Sequence, residues 1–196
     1  VSESFLILHG IGNRRPPQHW QFLLAAALVE AGHNVRYPEL PNPDGPNLDD
    51  WLAVLGTELD SLTGSRRTVV CHSLACLLWF HAASRTLQDP VDRVLLVSPP
   101  ASERVPDEGA TFRLARLDAP AVRSSARGEL AIVCSDADPY NPVGAPSLYG
   151  EPLGITATVI EGAAHITPDS GYGSWPFVLE WCLSGSKAND AQSPAA

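Results

Sequence analysis

The sequence predicts an α/β fold: a three-layer α/β/α sandwich on a mostly parallel sheet, with little or no cap domain. Three observations carry this. Short apolar runs that read as buried strands alternate with segments of helical periodicity. One run ends in a tight turn, Val69-Val70-Cys71-His72-Ser73-Leu74-Ala75, that leads directly into an apolar helix pattern. Neither an internal repeat nor a linker divides the 196 residues, which suffice for one domain with a substantial core. Residues 1–184 are expected to form that domain. Residues 185–196 are small and polar, and are expected to be disordered.

Phe5-Leu6-Ile7-Leu8 reads as the first buried strand, stopped by His9-Gly10-Ile11-Gly12-Asn13. After Pro16-Pro17 a helix is expected from about Gln18 to Glu30. Trp20, Leu23, Leu24, Ala27 and Leu28 share one face of it, and Gly32 ends it. Asn34 to Tyr37 is a short strand, and the Pro- and Asn-rich stretch 38–47 is a loop. Asn47 or Asp49 caps a second helix whose apolar face is Trp51, Leu52, Leu55, Leu59 and Leu62. Thr68 to Val70 is the next strand. Leu74 to Leu87 is apolar almost all round, so it is expected to be buried against the sheet. Arg93 to Ser98 is a further strand, ended by Pro99-Pro100. Residues 101–128 lack periodicity, and too few separate Ser98 from Leu130 for a large lid. Leu130 to Cys134 and Ile155 to Ile160 are the last strands, and Trp175 to Leu183 the last helix.

Composition narrows the function. A net charge of −9 argues against nucleic acid and against an anionic membrane surface as partners. No apolar run is long enough to span a bilayer. Lys187 is the only lysine among thirteen basic residues, which argues against Schiff-base or Ser-Lys chemistry. The four cysteines lie in apolar runs without C-x-x-C spacing, so buried reduced thiols are expected rather than disulfides or a zinc site. With no signal-peptide pattern before Phe5, a cytoplasmic location is expected. His9, His72 and His165 fall at strand ends without ligand spacing, and no metal is expected.

Ser73 is the candidate nucleophile. A small-x-Ser-x-small segment between strand and helix forces a tight turn that lifts the hydroxyl to the sheet's edge, beside the helix amides. Read alone, Ser73 serves equally well as a helix N-cap. Acyl transfer also needs a base and an acid that holds the base's tautomer, both just past strand ends. Asp136 and Asp138 follow one strand, and His165 follows the next. Asp138 is favoured over Asp136, because Pro139 biases it to an extended conformation. The backbone amides of Leu74 and Ile11, with Gly10 as the alternative to Ile11, are the candidate oxyanion donors. Trp20, Tyr140 and Trp175 are candidate residues of the pocket rim.

These segments together resemble the small single-domain α/β-hydrolases of the retinoblastoma-binding protein 9 / YdeN type. The resemblance runs from about Phe5 to Leu183. It rests on His9-Gly10 with His19-Trp20, on Cys71 to Cys76, on Ser98-Pro99-Pro100, on Ser135 to Tyr140, and on Gly162 to Ile166 leading to Ser170 to Pro176. It implies an α/β-hydrolase fold and a serine hydrolase with Ser73 as nucleophile, Asp138 as orienting acid and His165 as base. It also implies a small ester or amide substrate and no cofactor. The chain departs from the family pattern at Cys71, where Ala or Gly is usual, and at Ala75, where Gly is usual. The expected activity is that of a carboxylesterase acting on short acyl groups in an open, shallow pocket. The alternative is a non-catalytic protein-interaction scaffold with a degenerate site, although the sequence names no protein partner.

Overall fold

The computed structural model describes residues 2–184; the disorder expected for 185–196 lies outside the described residues. Six strands form one sheet: β1 (Ser4–Leu8), β2 (Asn34–Arg36), β3 (Arg67–His72), β4 (Val91–Val97), β5 (Ala126–Ser135) and β6 (Thr158–Ile160). Their order is β2-β1-β3-β4-β5-β6, and every pairing is parallel. The helices are α1 (Trp20–Glu30), α2 (Leu48–Asp60), α3 (Leu74–Arg85), α4 (Ala119–Ser124), the single turn α5 (Glu151–Leu153) and α6 (Pro176–Ser184).

Strand periodicity sorts the core into two layers, since successive side chains leave opposite faces of a sheet. Leu6, Leu8, Val69, Cys71, Val94, Leu96, Ile132 and Cys134 pack with α2 and α3 on one face. Phe5, Ile7, Val70, Leu95, Val97, Ala131, Val133 and Ile160 pack with α1 and α6 on the other. Strands buried on both faces read as continuous apolar runs, which is why β1, β3 and β4 are visible in the sequence.

The boundaries shift for identifiable reasons. α1 starts at Trp20 rather than Gln18 because extended His19 caps it, accepting from the Gln21 amide at 3.2 Å. Leu23, expected to be buried, is 39% exposed, while Gln21 is buried and donates to the Leu8 carbonyl at 2.9 Å. α2 is capped by Asn47, whose side chain accepts from Asp49 and Asp50; such a cap is worth about 1 kcal/mol. β5 begins four residues before the apolar run. Its polar start is held by ion pairs of Arg127 with Asp89 and of Glu129 with Arg93. Arg93 is buried, donates to the Trp181 carbonyl at 2.7 Å and stacks on the Trp181 ring at 3.7 Å, so its charge is compensated within the core.

Residues 101–128 do not lie open. Two 3₁₀ turns, Ser102–Arg104 and Asp107–Phe112, and then α4 bury Val105, Phe112 and Val122 against the α2/α3 layer. Of this segment, Arg104, Val105 and Pro106 wall one side of the cavity beside Ser73.

Candidate active site

The β3–α3 connection builds the site. Ser73 adopts φ 56°, ψ −124°, a conformation that costs a non-glycine residue about 1–3 kcal/mol. Its amide donates to the Val97 carbonyl at 2.9 Å, which ties the turn to β4. Ser73 stands at the N-cap of α3, yet its side chain makes no capping bond. Its Oγ lies 2.8 Å from His165 Nε2 instead. His165 Nδ1 lies 2.9 Å and 3.0 Å from the two carboxylate oxygens of Asp138. Asp138 is buried and also accepts from the Tyr140 amide at 2.9 Å, so its carboxylate is fixed in direction. Asp136 is elsewhere: it accepts from the Gly162 amide at 2.8 Å and braces the turn before His165. Ser73, His165 and Asp138 thus come together, and Asp136 does not join them.

His165 is held under strain. Ala164 and Ile166 on either side of it both have positive φ, 47° and 51°, an outlier for a β-branched residue. Two anchors over-determine the loop. The His72 ring donates through Nε2 to the His165 carbonyl at 3.0 Å, and the Trp20 indole donates to the Ile166 carbonyl at 2.9 Å. Trp20 is therefore a buried anchor and not a rim residue. Trp175 is likewise buried, packed edge-on against Trp20 and Tyr172. Of the three expected rim residues only Tyr140 lines the cavity; it is 47% exposed and its ring leans on His165 at 4.5 Å.

The loop after β1 faces Ser73. A Cβ at Gly10 would stand 2.8 Å from Ser73 Cβ and 3.1 Å from its Oγ, so only glycine fits. His9 fixes the next peptide. Its Nε2 accepts from the Leu40 amide at 2.9 Å, so Nδ1 carries the proton and donates to the Gly10 carbonyl at 2.9 Å. In a trans peptide the Ile11 N–H then points the opposite way. Leu74 opens α3, where the first amides lack intrahelical partners. Ile11 and Leu74 line the same cavity as Ser73, about 540 Å³ in volume and walled by Gly10, Val105, Tyr140 and His165.

His19 and His72 also line this cavity. Their rings meet edge-on with centroids 5.4 Å apart, and the His72 centroid is 5.1 Å from that of His165. Burial, above all, holds His9, His19, His72 and His81 below the ordinary imidazole value of 6.5, His19 down to about 4. In the pH window between these values the unfolded chain binds protons that the folded chain refuses. Stability is therefore complete above pH ~7 and falls as pH drops through 6.5 toward 4. His19 alone is expected to cost about 2 kcal/mol at pH 5. Urea midpoints at pH 7.5 and pH 5.0 check this; a midpoint that rises on acidification contradicts it.

Among the described residues no His, Cys, Asp and Glu group has the arrangement to hold a metal ion. All four cysteines are buried and free. No helix there is long and apolar enough to cross a membrane.

A family model described as serine hydrolase matches residues 5–182. No curated protein sequence matches the chain. Among solved structures, the ydeN gene product from Bacillus subtilis superposes with a TM-score of 0.80 at 23% identity, covering 93% of this chain and 98% of that one. A putative YdeN-like hydrolase from Pectobacterium atrosepticum has a TM-score of 0.71 at 20% identity, covering 91% and 88%. Est1E from Butyrivibrio proteoclasticus has a TM-score of 0.65 at 16% identity, covering 93% and 88%. At these identities the structural likeness speaks for the fold.

Proposed function

The chain belongs to the serine hydrolase family, and from that premise we propose that it is a carboxylesterase acting on small, short-acyl esters through Ser73, His165 and Asp138. The observation that carries the reading is the unbroken hydrogen-bonded line from Asp138 through His165 to a Ser73 hydroxyl that makes no capping bond.

His165 Nε2 takes the Ser73 proton as Oγ attacks the ester carbonyl carbon. Asp138 holds the proton on Nδ1, which leaves Nε2 free to accept, and it stabilises the imidazolium that forms. The carbonyl oxygen becomes an oxyanion and accepts hydrogen bonds from the Ile11 and Leu74 amides. When the intermediate collapses, the alcohol leaves with the proton from His165, and an acyl-Ser73 remains. Water, deprotonated by His165, attacks that ester and releases the acid. Each oxyanion donor contributes about 3–4 kcal/mol.

The loop geometry gives a direct check on this assignment. Gly10→Ala drives a methyl group into Ser73 and turns the Ile11 peptide, so kcat/KM is expected to fall by at least about 100-fold. Steady-state kinetics beside a thermal melt test it; an alanine variant with the parent's kcat/KM contradicts the oxyanion assignment.

The reading as a whole is tested with p-nitrophenyl esters from acetate to dodecanoate. Arg104, Val105 and Pro106 close one side of the cavity, which favours the short end of the series. Highest kcat/KM at acetate or butyrate is the expected result. Turnover that peaks at long chains, or that is absent throughout, opposes it.

A further inference from the structure

The cavity carries a second set of polar groups that the acyl-transfer steps do not use. His19 lines it while being only 4% exposed. Its Nδ1 is occupied by the Gln21 amide, so the ring proton of the neutral form is on Nε2. That Nε2 has no protein partner among the described residues, yet it is not one of the buried polar atoms sealed from solvent. It is thus a fixed donor that opens to the cavity. Burial and the neighbouring His9 and His165 hold the ring pKa at about 4, so it stays neutral when His165 carries the proton.

The position of His19 identifies which part of a substrate it meets. Its ring meets the His72 ring edge-on, and the His72 ring leans on His165. A leaving group departs on the base's side, because the base protonates it. Thr167 and Asp169 line the same cavity two and four residues beyond His165. The Thr167 hydroxyl accepts from the Ser170 amide, so its own proton remains to donate. Asp169 is exposed and has no ion pair among the described residues. A donor-only imidazole, a hydroxyl donor and an acceptor-only carboxylate complement groups that both accept and donate, which are alcohol hydroxyls. A plain alkyl leaving group would leave the His19 N–H without a partner, the situation in which polar sites discriminate most strongly.

We propose that this side of the cavity binds a polyhydroxylated leaving group, so that the substrates are short-acyl esters of glycerol- or sugar-like alcohols. His19 Nε2–H donates to one hydroxyl oxygen, and Asp169 accepts from a neighbouring hydroxyl. The inference rests on the esterase reading above.

The test measures kcat/KM of the full chain for glycerol monoacetate and for propyl acetate, its counterpart without the two free hydroxyls. Each value is normalised to the ester's rate in hydroxide, and p-nitrophenyl acetate is assayed in parallel. The parent is expected to favour glycerol monoacetate by at least about tenfold. His19→Asn keeps an acceptor to cap α1 but is too short to reach the cavity, and it is expected to bring the ratio close to one. Asp169→Asn is expected to lower the ratio as well. Equal normalised rates for the two acetates, with p-nitrophenyl acetate turned over, overturn the leaving-group site and leave the esterase reading standing. No turnover of p-nitrophenyl acetate removes the esterase reading and this inference with it.

Discussion

Ser73→Ala is expected to reduce kcat for short p-nitrophenyl esters by about 10⁶-fold, to the level that binding and the oxyanion amides sustain alone. The hydroxyl makes no capping bond, so among the described residues its only hydrogen-bond partner is His165. Alanine at φ 56° carries the same backbone strain as serine. The thermal midpoint should therefore move by no more than a few degrees, which separates loss of chemistry from loss of fold. His165→Ala should match the serine variant, and the double variant should be no worse than either alone, because the two residues act as a unit. Initial rates at saturating ester check all three; losses that multiply in the double variant contradict a shared step.

Asp138→Asn is expected to cost about 10⁴-fold in kcat with little change in stability. An amide at this position donates to His165 Nδ1, which moves the ring proton to Nε2, where it can no longer accept from Ser73. Asp136→Asn is the internal comparison. Among the described residues its oxygen receives only the Gly162 amide, which an asparagine oxygen also receives, so the loss should stay below about tenfold. A reversal of the two effects assigns the acid role to Asp136.

The parts of the fold legible in the sequence are those where local pattern and tertiary burial coincide. β1 and β3 are buried on both faces and are written as apolar runs. β2 and β6 are three-residue edge strands and leave a weak signal. The start of β5 is held by Arg127 and Glu129 ion pairs, which hydropathy cannot register. Val105 and Phe112 are single buried residues in turns without periodicity, so the wall they anchor is not readable.

The site divides in the same way. Ser73, Asp138 and His165 stand out in the sequence because each follows a strand end, and in the structure Asp138 lies within hydrogen-bond distance of His165 while Asp136 bonds the Gly162 amide. Trp20 and Trp175, expected at the rim, are buried instead. A tryptophan beside a motif has the same sequence signature whether its indole faces solvent or, like that of Trp20, holds a buried carbonyl. His19 and His72 act through ring contacts across three chain segments, and the only local trace is the His19-Trp20 pair that opens α1.

An activated Ser73 hydroxyl attacks a fluorophosphonate and displaces fluoride. Intact-mass and peptide analysis of the treated protein read this out. The predicted result is one adduct per chain, located on Ser73, formed in step with loss of esterase activity and absent in Ser73→Ala. An unmodified protein, or an adduct on another residue with Ser73 untouched, would contradict the claim and leave a hydrolase fold that serves as a binding scaffold.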